Sequence, residues 1–403
     1  MELYEHQKKL LKENPAKWLM AWGTGSGKTR TAIELSKVNA KLTLVICPKS
    51  MVETWIKEIK MWGGDKNTAV VSKENFKKLY RKMPKFDCLI VDECHYFSNY
   101  KSQLTKSLYE YLKKYNPPYI YLLTATPYLS TPFNIYSLAK ILGHHWNWYD
   151  FKTHFFYDVK MGKRVIPVIR KNIESDISQL VNKLGSTVRL EDCVDIPEQV
   201  YENEYFELTK EQKKEIEQLN DVLPIARINK IQQIEGGWIK GDVYVGNKEI
   251  KSEKLNRLLE LAGEHKKIAV VCRFTLEINN IFLKLKEKYP GRNIYKLQGN
   301  LSGEERHNII EEIHKKDDAI IIIQAQLCEG YSLETVPIMV FYSMDYSLKA
   351  YIQIIGRLQR ISAIKKNVYI FFITKNSVGE SVYDCVVHRK MDFNEAIYAK
   401  LDI

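Results

Sequence analysis

Residues 18–29 read Trp18-Leu19-Met20-Ala21-Trp22-Gly23-Thr24-Gly25-Ser26-Gly27-Lys28-Thr29, and the fold turns on how this stretch is parsed. The apolar run Trp18 to Ala21 suits a short buried strand, a glycine-rich turn follows, and a helix begins near Arg30. Strand, loop and helix in that order form a phosphate cradle. Glycines let backbone N–H groups turn inward on an anion, Lys28 reaches the β- and γ-phosphates, and the Thr29 hydroxyl suits Mg²⁺. Trp22 stands where the strict form of such a loop has its first glycine, but the core from Thr24 to Thr29 is intact.

Similar short apolar runs alternate with amphipathic stretches along the chain, the pattern of parallel sheets flanked by helices. In the first half, strands are expected at Trp18 to Ala21, Leu42 to Cys47, Cys88 to Val91 and Tyr119 to Leu123. They end respectively in the phosphate loop, Pro48-Lys49-Ser50, Asp92-Glu93-Cys94-His95 and Thr124-Ala125-Thr126-Pro127. Ligands of open α/β sheets bind beyond the carboxyl ends of strands, so the four segments are expected to share one cleft. Asp92 and Glu93 supply two carboxylates there, one suited to Mg²⁺ and one to an attacking water.

A second set of strands is expected at Ile268 to Cys272, Asn293 to Leu297, Ala319 to Gln324, Ile338 to Tyr342 and Val368 to Ile373, without a phosphate loop. Arg357 and Arg360 follow at i and i+3, on one helix face, and suit a shared anionic target. A chain of 403 residues fits two such bodies. Proline interrupts regular structure at Asp195-Ile196-Pro197-Glu198, giving expected domains 1–197 and 198–403, the first with a helical, aromatic extension from about Tyr128. Few buried-strand signals occur between about Tyr128 and Lys254; an extended run, Val200 to Leu208, precedes a helix expected over Lys210 to Asn220 behind the N-cap Thr209.

Composition narrows the function. Hydrophobic residues at 45% and charged residues at 27% describe a folded globular chain, and no apolar run nears the roughly 18 residues of a membrane span. The N-terminal residues lack the pattern of a secretory signal, so a cytoplasmic location is expected. The 7 cysteines are scattered without a C-x-x-C pair, which argues against a structural metal or disulfides. A net charge of +12 suits a polyanionic partner, although solvated lysine faces give the same sum. The aromatic cluster of Trp146, Trp148, Tyr149, Phe151, Phe155, Phe156 and Tyr157 reads as core packing of the extension; Lys160, Lys163, Arg164, Arg170 and Lys171 read either as a phosphate-binding patch or as a solvated hairpin.

Tyr4 to Gln7, the Thr24 to Thr29 loop, Asp92 to His95, Thr124 to Pro127 and Gln353-Ile354-Ile355-Gly356-Arg357-Leu358-Gln359-Arg360 resemble, in order and spacing, the motifs of helicase superfamily two. The resemblance covers nearly the whole chain. It implies two RecA-like α/β lobes, each a mainly parallel sheet flanked by helices, with ATP and Mg²⁺ in the cleft and nucleic acid across both lobes. By this likeness Tyr4, Gln7, Gly23, Thr24, Gly25, Ser26, Gly27, Lys28, Thr29, Arg30, Gly330 and Gln353 contact ATP, with Gln7 at the adenine. Thr29 and Asp92 hold Mg²⁺, and Glu93 handles water. His95, Thr124, Ala125 and Thr126 couple nucleotide to polynucleotide, while Arg357 and Arg360 act as catalytic arginines. Lys49, Arg273, Gln298, Gly299 and Gln326 are the implied nucleic-acid contacts.

Within the superfamily the segments Leu44 to Ile59, Val188 to Pro197, Phe206 to Gln212, Lys251 to Leu255 and Glu329 to Leu333 are similar to the Swi/Snf group of duplex-DNA translocases. Thr124-Ala125-Thr126-Pro127 and Trp22-Gly23-Thr24-Gly25 depart from that group and are shared with other branches. The compact form is similar to members carried by bacteriophages. The activity that the resemblance implies is a nucleic-acid-stimulated ATP hydrolase whose track is double-stranded or branched DNA, along which a monomeric or weakly associating motor moves. A strand-separating helicase and an ATP-gated clamp are the alternatives.

Overall fold

The structure, a computed structural model, describes residues 2–63, 67–125, 133–161, 164–170, 173–189, 192–193, 199–219, 224–241, 246–327, 331–358 and 366–389. The chain divides into two compact units, Met1–Asp195 and Ile196–Ile403.

The first unit contains β1 (Lys17–Trp22), β2 (Thr43–Cys47), β3 (Thr68–Ser72), β4 (Cys88–Asp92), β5 (Tyr119–Thr124), β6 (Phe156–Met161), β7 (Arg164–Ile169) and β8 (Gly185–Val188). Six of these form a parallel sheet in the order β3-β2-β4-β5-β1-β8. Every residue of β2 and β4 is buried, as expected where helices cover both faces of a parallel sheet. Alternation along the strands divides the core in two. Met20, Val45, Ile90 and Leu123 pack with Ile33 and Leu35 of helix Lys28–Asn39 and with Trp55 and Ile59 of helix Val52–Met61. Leu19, Ile46, Val91 and Leu122 pack on the other side with Leu108 and Tyr111 of helix Gln103–Tyr115 and with Leu138 of helix Phe133–Ile141.

The second unit contains β9 (Gln199–Phe206), β10 (Trp238–Ile239), β11 (Lys248–Glu249), β12 (Lys267–Cys272), β13 (Ile294–Leu297), β14 (Ala319–Gln324), β15 (Ile338–Phe341) and β16 (Asn367–Thr374). Its parallel sheet runs β13-β14-β12-β15-β16-β9 and is covered in the same two-sided way. Val270, Ile322 and Val340 face Leu258 and Ile281, whereas Val271, Ile323 and Phe341 face Ile313 and Ile354. Two α/β bodies are thus present, each a parallel sheet flanked by helices and each with its own core. No helix among the described residues is long and apolar enough to cross a membrane.

Several details correct the sequence expectations. The stretch from Tyr128 to Lys254 supplies an unexpected edge strand, β8, to the first sheet and an antiparallel pair β6–β7, whereas the extended run expected at Val200 to Leu208 is present as β9, the edge of the second sheet. The helix behind Thr209 has a capping box, Thr209 N–H to Gln212 Oε1 at 2.9 Å and Gln212 N–H to Thr209 Oγ1 at 3.2 Å, but it ends at Glu217 rather than Asn220. Of the aromatic cluster, Phe151, Phe155 and Phe156 are buried, while Trp146, Tyr149 and Tyr157 are exposed. Residues i and i+4 of helix Trp148–Phe155 share the core face, and Tyr149 lies off it. Lys163 and Lys171 of the basic patch lie outside the described residues.

Strand β8 is short and polar, and Gly185 explains its placement. A Cβ there would sit 1.8 Å from the backbone oxygen of Leu19 in β1, so only glycine lets the two strands meet. Gly185→Ala should destabilise the first unit at or above the upper end of the roughly 1–3 kcal/mol typical of overpacking. A clear drop in its urea midpoint is the expected result; a wild-type midpoint would contradict the β1–β8 contact.

Candidate active site

The phosphate loop begins where β1 stops. Trp22 is buried as the last residue of that strand, and its indole N–H donates to Ser186 Oγ at 2.9 Å. This packing role accounts for tryptophan at the position of the usual glycine. The Gly23 N–H donates to Val188 O at 2.8 Å, and Ser26 Oγ donates to Gly23 O at 2.7 Å. Gly25 and Gly27 hold left-handed φ values of 81° and 84°. A Cβ on Gly27 would also lie 2.4 Å from Gln7 Nε2. Gln7 is buried beneath the loop: its carboxamide accepts from Tyr4 N–H at 2.8 Å and donates to Gly27 O at 3.0 Å and Thr31 Oγ1 at 2.9 Å. The expected adenine reader is therefore also a brace between the N-terminal helix Glu5–Glu13 and the loop. His6 Nε2 lies 2.9 Å from Ser26 O, and its Nδ1 lies 3.4 Å from Cys193 Sγ.

The helix after the loop starts at Lys28, two residues earlier than expected, and carries Thr29 and Arg30 in its first turn. The Lys28 ammonium donates to Trp22 O at 2.7 Å and Gly23 O at 2.9 Å, which curls the side chain over the loop. A helix N-terminus under a curled loop with a lysine across it is a ready anion site.

Strands β4, β5 and β1 are neighbours, so their carboxyl ends come together. Asp92 is paired in register with Leu123, Leu123 with Met20, and Thr124 with Ala21. Asp92 is buried; its Oδ2 accepts from the Trp55 indole N–H at 2.8 Å and its Oδ1 from the Glu93 N–H at 3.0 Å. Burial, then the neighbouring Glu93 charge, push the Asp92 carboxyl up to about 7, against the pull of the Lys28 ammonium. Glu93 adopts φ 49°, a left-handed conformation uncommon outside glycine and asparagine, and its Oε2 lies 3.0 Å from His95 Nδ1. Thr124 is fully buried at the end of β5, and Ala125 follows it half-buried. Thr126 lies outside the described residues.

The donor set fits Mg²⁺. Thr29 and Asp92 present hard oxygens, and a divalent cation offsets the mutual repulsion that raises the Asp92 carboxyl beside Glu93.

In the second unit Arg357 is buried near the end of helix Leu348–Leu358 and donates from Nε to Gln353 O at 3.1 Å and from Nη1 to Tyr331 O at 2.8 Å. Gln353 is fully buried. Gly330 and Arg360 lie outside the described residues. Arg273 stacks over the Tyr346 ring at 3.4 Å, donates to Gln232 Oε1 at 2.6 Å and lies 3.7 Å from Asp345 Oδ2. Gln326 Nε2 donates to that same Asp345 oxygen at 3.2 Å, so the carboxylate joins two expected nucleic-acid contacts. Gln298 donates to Asn279 Oδ1 at 3.3 Å, and the Gly299 N–H donates to Gln324 Oε1 at 3.0 Å. In the first unit Lys49 is exposed on the short turn Lys49–Met51 after β2.

The helicase conserved C-terminal domain matches residues 250–362. Curated relatives include the chromodomain-helicase-DNA-binding protein 1-like of Danio rerio, 21% identical over 91% of this chain, and the CHD3-type chromatin-remodeling factor CHR7 of Arabidopsis thaliana, 21% identical over 95%. The chain is thus similar, over these shares, to helicases and chromatin-remodeling factors. The chain spans 40% and 36% of the lengths of those two relatives. Among solved structures, the Sulfolobus solfataricus SWI2/SNF2 ATPase core in complex with dsDNA is similar over 98% of this chain and 92% of that one, at 18% identity and a TM-score of 0.43.

Sequence reasoning passed over Ser186, Gln232 and Asp345, because each acts on a partner distant along the chain. Trp55 stood in a quoted motif, yet nothing in its spacing announced a bond to Asp92.

Proposed function

We propose that this chain is a nucleic-acid-dependent ATP hydrolase that uses turnover to move along duplex DNA. The reading rests above all on Asp92 and Glu93 at the end of β4, two strands from the loop that carries Lys28. Lys28 and the loop amides bind the phosphates, Glu93 orients and deprotonates the attacking water, and Thr29 with Asp92 hold the metal, which supplies charge neutralisation at the phosphates. Gln7 and Tyr4 frame the base. His95, against Glu93, and Thr124, at the end of β5, are positioned to relay the state of this centre, while Arg357 and Arg360 answer the charge of the transition state. Lys49, Arg273, Gln298, Gly299 and Gln326 meet the sugar-phosphate backbone, which carries no direct sequence information. The names of the relatives, a chromodomain helicase and a chromatin-remodeling factor, favour DNA as the track.

ATP turnover measured side by side with duplex DNA, single-stranded DNA and RNA tests the reading. Strongest stimulation by duplex is expected; preference for a single strand would replace translocation by strand separation. Displacement of the third strand of a triplex separates a motor from a clamp, which would turn over ATP and leave the strand in place. Arg357→Ala should lower turnover on the order of 10³-fold, with nucleotide affinity close to wild type. Equal loss of both would leave Arg357 only its bonds to Tyr331 and Gln353.

A further inference from the structure

A buried carboxylate beside a second carboxylate needs donors, and the source of those donors at Asp92 is informative. One is the adjoining Glu93 N–H, supplied by the turn itself. The other is the indole of Trp55, a fully buried side chain from helix Val52–Met61 on the same sheet face as helix Lys28–Asn39.

Any buried tryptophan seeks a partner for its N–H, and a backbone carbonyl or another neutral acceptor would serve. Supplying an ionisable carboxylate for that purpose is costly, because desolvating a charge is far harder than desolvating an indole. Two N–H donors, one on each oxygen, instead fix the plane of the carboxylate and leave further lone pairs on both oxygens. This is how outer partners orient metal ligands.

We propose that Trp55 is a positioning residue that holds the Asp92 carboxylate in the orientation required to bind the divalent metal. The inference rests on the assignment of Asp92 as metal carboxylate, and it deepens that assignment. Trp55 acts through Asp92 and touches neither nucleotide nor metal. Its loss therefore weakens metal binding selectively, because the loop that holds phosphate through Lys28 and its own backbone is built from other residues.

The test measures metal binding without turnover. Mn²⁺ is titrated into the full chain with saturating ADP and its free concentration is followed by electron paramagnetic resonance; metal-free ADP binding is measured by calorimetry. Trp55→Phe retains an aromatic ring and removes the N–H. Replacement of Trp55 by benzothienylalanine keeps the volume, exchanges the N–H for sulfur and guards against poor folding of the first variant. Both should raise the Mn²⁺ dissociation constant by about tenfold, the lower end of what loss of a ligand's supporting hydrogen bond costs. ADP binding without metal and the urea midpoint of the benzothienyl protein should stay near wild type. Unchanged Mn²⁺ affinity in the benzothienyl protein, or an equal loss of metal-free ADP binding, overturns the proposal. A wild-type chain that binds Mn²⁺ yet hydrolyses no ATP would defeat the proposed function and leave this inference to the Mn²⁺ comparison alone.

Discussion

Glu93→Gln should bind ATP and metal as the wild type does while turnover falls on the order of 10²–10⁴-fold, the contribution of a positioned general base. Glutamine matches glutamate in shape and fits the same space against His95, whose Nδ1 lies 3.0 Å from Glu93 Oε2, so the left-handed turn at residue 93 should survive. It cannot accept a proton from water. Removing the Glu93 charge also removes one of the two influences that raise the Asp92 carboxyl, so Asp92 ionises at lower pH and metal binding is not weakened. Steady-state turnover beside equilibrium binding of a nonhydrolysable ATP analogue checks both halves. Near-normal turnover would take the water-activating role away from Glu93, and a parallel loss of binding would mean that the turn had collapsed.

Lys28→Ala should reduce turnover by on the order of 10³-fold or more, consistent with loss of a preorganised electrostatic contact to the transferred phosphoryl group. The fold should persist. The loop remains tied by Gly23 N–H to Val188 O, by Ser26 Oγ to Gly23 O and by Gln7 to Gly27 O, and none of these needs the ammonium. What is lost locally is a pair of charge-assisted bonds to the carbonyls of Trp22 and Gly23. Turnover together with thermal unfolding decides the matter: normal hydrolysis would overturn the assignment of the loop, and global unfolding would mean that Lys28 is a structural residue.

The strands at the centre of each sheet were legible because burial on both faces leaves short, nearly uninterrupted apolar runs, such as Leu44 to Cys47 and Ala319 to Ile323. Their carboxyl-end segments were legible for the same reason, since polar chemistry begins abruptly where the apolar run stops. Edge strands obey a weaker rule. Gly185-Ser186-Thr187-Val188 carries no apolar pattern, and its place beside β1 is set by the absence of a side chain at one residue. Gln199–Phe206 could be read as extended, but its pairing with β16 depends on a strand near the other end of the unit. The site divides in the same manner. Lys28, Asp92 and Glu93 belong to local patterns, whereas the partners of Arg273, namely Gln232, Tyr346 and Asp345, are brought to it by tertiary structure.

The bond from Gly23 N–H to Val188 O has a mechanical meaning. Val188 ends the last strand of the first unit, and the chain that leaves it leads on to the second. Any displacement of β8 along β1 would therefore act on Gly23, the first glycine of the loop, through the backbone alone, with no side chain as intermediary.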